Sequence, residues 1–411
     1  MRIPVALVAV LALVLGQSAT AGPAAGSQAY PVSYHSFTLS AGEGTVLRGG
    51  ALTLGSSGLA TTSYSDPYLG TTRSYEMGSW TSPKFATGFA FTELVSSWIA
   101  RTPSGTFVRV YMSADRADGT STKWYTMGIW ASGDGDIYRR SVGGQGDGDG
   151  YIAIDTFFAK DHPMTGYHLK LELYRLKGST SPSVTRIGAV ASDPVNTKPY
   201  LPSATTMTKD QVIAVRQFSQ EIHAGQYPEY DGGGEAWCSP TSTSMVVDYW
   251  GKGPSPSDYA YVPSEFADPW VDYTARYVYD YHYQGAGNWP FNVAYAGARG
   301  LDGEVTQLHS LREAEQFIKA GIPLVASIAF TSNKLDGFLF KSTSGHLLVI
   351  VGFTKEGNPV VNDPAATSDA TVQRVYDRAQ FEQNWMTSTG GIVYVIHPAS
   401  VPLPASPLGN W

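Results

Sequence analysis

The sequence GGGEAWCSPTSTSMVVDYW, residues Gly232–Trp250, contains Cys238, the only cysteine in a chain of 411 residues. Ser239 is a common N-cap residue, and Pro240 is tolerated in the first turn of a helix. Apolar residues then recur at the spacing of one buried face, which predicts a helix that begins just after Cys238. Free N–H groups and peptide dipoles at a helix start favour a thiolate. Cys238 is therefore a candidate nucleophile, with a small buried hydrophobic residue as the alternative.

The first residues predict a secretory signal peptide. One basic residue precedes an apolar run from Val5 to Leu15, and a small-residue cleavage pattern ends at Ala21. We therefore expect residues 1–21 to be removed and the mature protein to be secreted. The apolar run is too short for a membrane span, and no other segment approaches the roughly 20 apolar residues that a span needs. The chain is predicted not to cross a membrane.

Export makes the cysteine count informative, because oxidising compartments favour paired cysteines. Cys238 has no partner in its own chain, which leaves intermolecular pairing or a reactive thiol, and its place at a helix start favours the second. The formal net charge is −7 and only 15% of the residues are charged. We find no basic cluster or stripe, so the sequence excludes a nucleic-acid binder.

Residues 22–192 predict an antiparallel β-sandwich. Segments such as Phe107–Met112 and His168–Leu173 alternate apolar and polar residues, the period of a strand with one exposed face. Turn sequences separate at least seven such segments and no helix is indicated, which is typical of a sandwich. We expect this domain to bind substrate or a cell-wall or glycan surface.

Two features of this domain permit either a binding function or a structural one. Asp147 and Asp149 lie in a Gly-Asp repeat that could hold Ca²⁺, but the repeat fails the helical calcium-loop template, and a long hairpin connection is favoured. Four tryptophans could form a sugar-stacking platform, although filling the core is the favoured interpretation. These tryptophans are Trp80, Trp98, Trp124 and Trp130.

Residues 193–208 are predicted to be a linker, because the segment is polar and carries three prolines. Residues 209–411 mix helix and strand signals. The cysteine helix is followed by a tyrosine-rich loop region and by a second helix from Phe291 to Ala298. Ser310 and Glu313 match a capping box that opens a third helix, and strand signals dominate afterwards. Helices followed by an antiparallel sheet predict an α+β domain.

Two further residues complete a candidate site. His346 begins an apolar strand, so its ring can project from the end of a sheet, although a satisfied surface histidine is equally common. The next strand ends at Asn362-Asp363-Pro364, and the short turn between the strands predicts a hairpin that brings Asp363 alongside His346. A thiol nucleophile needs a group that takes and returns its proton, and a carboxylate can orient that group.

The Cys-Ser-Pro-Thr-Ser helix start, the Gly-His pair before an apolar strand and the Asn-Asp-Pro after the next strand resemble the bacteriocin-processing peptidases. These are family thirty-nine of the cysteine peptidases, within the papain-like fold. The resemblance covers roughly Gln217 to Pro398. It implies peptide-bond hydrolysis through a thioester intermediate, with no metal and no cofactor. By this resemblance Cys238 is the nucleophile, His346 the general base and acid, and Asp363 the orienting residue.

The chain departs from this family at the oxyanion position. Family members usually carry a glutamine about six residues before the cysteine, where this chain has Gly232. Gln220 resembles the glutamine of looser relatives and is, by that resemblance, the candidate oxyanion donor beside the backbone N–H of Cys238. The best-known members cleave leader peptides as parts of transporters. The chain is expected to be secreted and to lack a transporter, so we do not expect it to share that substrate class.

The sequence thus predicts a two-domain secreted thiol hydrolase, with a β-sandwich followed by an α+β papain-like cysteine peptidase domain. Its expected substrate is a peptide or protein. Two alternatives stay open. The same three residues could act on a cell-wall amide bond or transfer an acyl group to an amine. The second domain could also be a non-catalytic, peptidase-like binding protein, which the glycine at 232 favours.

Overall fold

The computed structural model describes residues 30–194, 200–331 and 334–411. The predicted signal peptide, residues 1–21, lies outside the described residues. Three antiparallel sheets carry most of the described structure, and the helices are few and short. None of the helices in these ranges is long and apolar enough to cross a membrane.

The first part of the chain forms two sheets, which we name sheet A and sheet B. Their strands alternate buried and exposed residues where one face meets solvent, as the sequence predicted. In chain order the strands are β1 (Val32–Ser36), β2 (Thr45–Arg48), β3 (Ala51–Leu54), β4 (Ala60–Asp66), β5 (Thr71–Thr81), β6 (Phe85–Phe91), β7 (Glu93–Arg101), β8 (Thr106–Asp115), β9 (Tyr125–Trp130), β10 (Gly150–Ala153), β11 (Thr156–Ala159), β12 (Met164–Leu176) and β13 (Ser183–Ser192).

Sheet A has the order β10-β11-β7-β13-β3-β2, with β1 also paired to β13, and sheet B has the order β4-β5-β12-β8-β9, with β6 also paired to β12. The two sheets pack against each other. The Tyr167 hydroxyl of sheet B donates to the Ala189 carbonyl of sheet A at 3.1 Å. Trp80, Trp98 and Trp130 are at most 2% exposed in the core. Three of the four tryptophans therefore fill the core and offer no sugar platform.

The loop that offered carboxylates for Ca²⁺ is neutralised by its neighbours. Lys123 Nζ lies 3.1 Å from Asp147, and Arg116 pairs with Asp149. The Tyr125 hydroxyl also donates to Asp147, at 2.5 Å. Among the described residues no group of His, Cys, Asp and Glu has the arrangement of a metal site. The loop joins β9 of sheet B to β10 of sheet A, so it has a structural role but is a crossover between the sheets and not the predicted hairpin connection.

The second part of the chain forms sheet C and five helices. Its strands are β14 (Gln211–Val212), β15 (Asp302–Gln307), β16 (Leu324–Phe330), β17 (Thr343–Phe353), β18 (Pro359–Asn362), β19 (Gln373–Val375) and β20 (Ile392–His397). Its helices are α1 (Cys238–Tyr249), α2 (Pro269–Val278), α3 (Trp289–Ala298), α4 (Leu311–Lys319) and α5 (Arg378–Thr389). Sheet C has the order β15-β20-β16-β17-β18-β19, with β14 also paired to β17.

Two local predictions for this part were incomplete. The tyrosine-rich segment contains helix α2, whose buried Val271, Thr274, Ala275 and Val278 follow the 3-4 spacing of a helix face. The capping box before α4 does not form. Glu313 instead accepts from the N–H of His309, at 2.7 Å, and the Ser310 side chain makes no cap.

The two parts of the chain share one continuous apolar core. Trp98 of sheet A meets the ring of Phe291 on α3, with ring centroids 6.2 Å apart. Arg186 of sheet A lies 2.7 Å from both Asp302 and Glu304 of sheet C. Tyr200, within the predicted linker, donates its hydroxyl to Glu382 at 2.8 Å. Sheet A is thus fixed against helix α3 and strand β15 of the second part.

Candidate active site

Cys238 is the first residue of helix α1 and is partly exposed. The helix begins at the cysteine itself, with Trp237 as N-cap and no side-chain cap. Ser239 does not cap the helix as expected, because its hydroxyl lies 2.9 Å from the hydroxyl of Tyr394 in the core. The first N–H groups of a helix have no intrahelical partner. The thiol therefore sits among backbone donors that favour negative charge.

Helix α1 packs against strand β17, and this contact brings Cys238 to His346. The Ser242 hydroxyl donates to the Leu347 carbonyl at 3.1 Å, one residue from His346. Residues 239–247 of the helix are buried, because small hydroxyl residues permit close approach to the sheet. The positions of the thiol and the imidazole are thus fixed by a helix and a strand rather than by loops.

Asp363 reaches His346 through the β17–β18 hairpin. Val349 of β17 is paired with Asn362 of β18, so Asp363 follows directly at the strand end. His346 Nε2 lies 2.7 Å from Asp363 Oδ1, and both side chains are buried. The structure therefore places the imidazole and the carboxylate in direct contact, with Nδ1 as the ring nitrogen left for the thiol.

Tyr376 is a further member of this cluster that the sequence did not reveal. Its hydroxyl donates to Asp363 Oδ2 at 2.8 Å, and the Ala365 N–H donates to Oδ1 at 3.1 Å. Burial alone would raise the pKa of Asp363, but His346 and these donors hold it below its usual value. Tyr376 follows the three-residue strand β19, and so short a strand gives no sequence signal. The carboxylate stays ionised despite its burial.

The pKa of His346 is shifted in the opposite direction. Burial alone lowers it, but the charge of Asp363, the hydrogen bond to Asp363 and the contact with Cys238 together raise it to about 10. The imidazolium form of His346 is therefore favoured beside the Asp363 carboxylate. A charged imidazolium next to a cysteine is the arrangement that a thiol nucleophile and its base require.

Two aromatic rings border the histidine. Phe338 meets the imidazole edge to face, with centroids 5.4 Å apart at 83°, and Phe340 lies at 6.4 Å. Phe338 also packs on Tyr376. These rings limit the access of water to the His346–Asp363 contact, which strengthens the electrostatic interaction inside it.

Comparison with known proteins adds two family matches. The model of the Peptidase C39 N-terminal domain matches residues 29–192, and the model of the Peptidase_C39 like family matches residues 210–392. We name these two matched regions the C39 N-terminal domain and the C39-like domain. The resemblance recognised in the sequence is confirmed.

No curated protein matches the chain. Among solved structures, that of the infectious bursal disease virus Gt strain is 13% identical, with a TM-score of 0.20 over 47% of this chain and 38% of the viral chain. The Gx strain of the same virus gives 11% identity and a TM-score of 0.19, over 39% of this chain and 33% of the viral chain. Likenesses this weak carry no argument about fold or function.

Gln220 of the C39-like domain contacts the segments that carry two members of the candidate site, Asp363 and Cys238. Its backbone N–H donates to the Pro364 carbonyl at 2.8 Å, directly after Asp363. Its side-chain Nε2 donates to the Glu235 carbonyl at 2.8 Å, three residues before Cys238. The side chain is buried, and its Oε1 has no partner among the described residues. The loop has thus brought a distant glutamine next to the cysteine segment.

Gly232, which occupies the usual glutamine position of the family, has a different constraint. Its φ of +84° lies in the left-handed region that glycine adopts readily and other residues rarely adopt. A glutamine there would be strained. The glycine-rich turn before Cys238 therefore excludes the family's usual donor at this position for a backbone reason.

The C39 N-terminal domain also reaches the surroundings of Cys238. Asp155, at the tip of the β10–β11 hairpin, accepts from the Trp289 N–H at the start of α3, at 2.8 Å. Burial raises the pKa of Asp155 to about 7. Burial also raises the pKa of Tyr394, and the charges of Asp155 and Cys238 add to that increase. Asp155 and the thiol of Cys238 therefore both lie near Tyr394.

Proposed function

We propose that the chain is an exported, papain-like cysteine peptidase that hydrolyses peptide bonds with Cys238, His346 and Asp363. The observation that carries this proposal is the buried contact between His346 and Asp363 beside a cysteine at a helix start. Export rests on the signal peptide predicted for residues 1–21. The substrate is a peptide or protein, in keeping with the C39-like family match.

In the proposed first step the thiolate of Cys238 attacks the carbonyl carbon of the scissile bond, and its proton resides on Nδ1 of His346. The new S–C bond forms as the carbonyl oxygen becomes an oxyanion. When the intermediate collapses, the C–N bond breaks and His346 gives its proton to the leaving amine. A thioester remains on Cys238. Asp363 holds the imidazole ring in place and balances its charge throughout.

In the second step a water molecule attacks the thioester carbonyl, and His346 accepts a proton from that water. The S–C bond then breaks, which releases a free carboxylic acid and regenerates the starting thiolate–imidazolium pair. The backbone N–H of Cys238 is one proposed donor to the oxyanion, because it belongs to the unpaired first turn of α1. Gln220 is the second proposed donor. Its Nε2 carries two hydrogens, and one of them serves the Glu235 carbonyl.

The proposal is tested with the mature chain, beginning at Gly22, on a fluorogenic peptide library. The Cys238→Ala variant is expected to lose turnover by about a thousandfold or more, because it has no nucleophile. Circular dichroism and thermal unfolding of the variant are expected to match the parent protein, since the cysteine is partly exposed. Undiminished turnover in Cys238→Ala would reject the proposal.

Product analysis separates peptide hydrolysis from the other uses of the same residues. Mass spectrometry is expected to show new free carboxylates on peptides. An acyl link conserved on an added amine would instead indicate an acyltransferase. Cleavage of peptidoglycan fragments but not of peptides would indicate a cell-wall amidase. Absence of turnover together with slow alkylation of Cys238 would indicate a non-catalytic binding protein.

A further inference from the structure

A cavity of about 280 Å³ lies between sheet A and the C39-like domain. Strand pairing defines its first wall. Glu93 of β7 lies opposite Phe158 of β11 and Ser192 of β13, while Val95 lies opposite Thr156. Because side chains two residues apart on a strand share a face, these five residues point to one side of sheet A. All five line the cavity.

The opposite wall comes from the C39-like domain and contains an unsatisfied acceptor. Gln307 of β15 is 2% exposed and lines the cavity together with Trp289 and Thr389. Its Nε2 donates to the Thr389 carbonyl at 3.2 Å, but its buried Oε1 has no hydrogen-bond partner in the described part of the chain. A buried acceptor without a partner costs free energy. A ligand with an N–H donor would remove that cost.

Glu93 adds a negative charge that its neighbours do not balance. The carboxyl group of Glu93 makes no ion pair within residues 30–194, 200–331 and 334–411, and Asp193 lies nearby, where it accepts from the Thr92 hydroxyl at 2.9 Å. Burial, and then the charge of Asp193, raise the pKa of Glu93 to about 7. One acidic group, Glu93, therefore lines a cavity that also contains an unsatisfied acceptor, and the charge of Asp193 acts on it from nearby.

We infer that this cavity, which we name the Glu93 pocket, binds the protonated side chain of a lysine or arginine residue of the peptide substrate. The cation would be met by the Glu93 carboxylate and the Gln307 Oε1. The rings of Phe158 and Trp289 would contact its methylene stem and its charge. An apolar or acidic side chain would satisfy neither group, and a neutral amide would satisfy only the Gln307 Oε1. The inference extends the proposed peptidase function, and it rests on that function because the bound residue is taken to belong to a substrate.

The lining of the pocket contacts segments that neighbour the candidate active site. Trp289, one of its walls, donates its backbone N–H to Asp155, and the adjacent Thr156 lines the pocket. On the other side Ser388, which also lines it, accepts from the N–H of Ala329 at 3.0 Å. The residue before Ala329 is paired with His346. In the inferred complex, a peptide bound at Cys238 places one basic side chain in the pocket.

Direct binding tests the pocket without relying on turnover. The full mature chain with Cys238→Ala is titrated by calorimetry with the Nα-acetylated amides of lysine, arginine and norleucine, of which only the norleucine compound is neutral. We expect the lysine or arginine compound to bind about tenfold or more tightly than the norleucine compound. Glu93→Gln is expected to abolish this difference, and Gln307→Leu to reduce it. The exposed Glu356→Gln serves as the matched control and is expected to change nothing.

Equal affinities for the three amides in the parent protein would overturn the inference, as would an unchanged preference in Glu93→Gln. Thermal unfolding establishes that each variant is folded before titration. Gln307→Leu provides an independent test through the other wall if Glu93→Gln does not fold.

Turnover separates failure of this inference from failure of the proposed function. In a positional peptide library, we expect one subsite to prefer lysine or arginine, and Glu93→Gln to raise KM for those peptides about tenfold with little change in kcat. Turnover without a basic preference would overturn the pocket but leave the peptidase. Selective binding of the basic amides with no turnover of any peptide would reject the peptidase and leave a cation-binding pocket.

Discussion

Asp363 and Glu93 are two carboxyl groups that the fold withdraws from water in opposite electrostatic settings. Asp363 contacts His346 at 2.7 Å and accepts from Tyr376 at 2.8 Å, and its pKa lies below the usual value. Glu93 faces Asp193 and no cation in the described part of the chain, and its pKa is raised to about 7. Burial acts in the same direction on both, so the neighbours decide the outcome.

The difference in partners implies that Asp363 acts on another residue of the protein and that Glu93 acts on a ligand. Asp363 already has every partner that a carboxylate needs, so its charge is used to orient and stabilise the imidazolium of His346. Glu93 lacks a partner inside the described chain, so its charge is available to a ligand. Burial raises the pKa of both carboxyl groups. At Asp363 the neighbouring donors and His346 reverse that rise, which serves the proposed chemistry, whereas at Glu93 no described residue reverses it, which serves the proposed specificity.

Replacing Asp363 by asparagine is expected to have the largest effect. The Asp363→Asn change keeps the size of the side chain but removes the charge that favours the imidazolium, and it permits the wrong tautomer of His346. We expect kcat to fall by about 10³–10⁴-fold, measured on the best peptide from the library. The matched control is Asp161→Asn, at an exposed position, which should retain full activity. A loss of less than tenfold in Asp363→Asn would contradict the proposed role.

Removing one donor to Asp363 is expected to have an intermediate effect. Tyr376→Phe deletes the hydrogen bond to Oδ2, and a hydrogen bond to a charged group is worth about 1.5–3 kcal/mol. We expect kcat to fall at least about tenfold, and the acidic limb of the pH–rate profile to move to higher pH because Asp363 becomes easier to protonate. Tyr151→Phe, at an exposed position, is the control. An unmoved acidic limb would show that Tyr376 has only a structural role.

The pH dependence of stability is expected to have opposite signs at the two carboxyl groups. The raised pKa of Glu93 means that its contribution to stability is fully present below about 4.5 and is lost as the pH rises through about 7. Glu93→Gln should therefore gain about 1–2 kcal/mol relative to the parent between pH 4 and pH 8. Asp363, with its lowered pKa, contributes stability above about 3.8, which is lost as the pH falls further.

Urea unfolding at pH 3, 4, 6 and 8 measures both effects. The stability deficit of Asp363→Asn should be largest at neutral pH and should shrink toward pH 3, because protonation removes the ion pair from the parent protein. A Glu93→Gln variant whose relative stability does not change with pH would mean that Glu93 has a partner in the folded protein.

Local patterns in the sequence predicted the local parts of this structure. The alternating segments of the first domain became strands, and the turn between β17 and β18 brought Asp363 to His346 because a short hairpin leaves few alternatives. The site residues supplied by distant segments could not be predicted in this way. Tyr376 follows a strand of three residues, and Asp155 comes from the other domain.

The position of Gln220 shows the same limit. Its resemblance to a family glutamine identified it, but only the fold of the intervening loop places it beside Glu235 and Pro364. The Glu93 pocket was not visible either, because its walls come from two sheets that lie far apart in the sequence. Sequence periodicity determines which face of a strand is buried and leaves open what packs against it.

The most direct test of the central claim is the rate of alkylation of Cys238 by iodoacetamide between pH 5 and pH 9, in the mature protein and in His346→Ala. If Cys238 and His346 form a thiolate–imidazolium pair, the parent protein should react rapidly at pH 6 and with little dependence on pH. The variant should then react about tenfold or more slowly at pH 6. Slow alkylation that rises with pH in the same way in both proteins would contradict the pairing and, with it, the proposed enzyme.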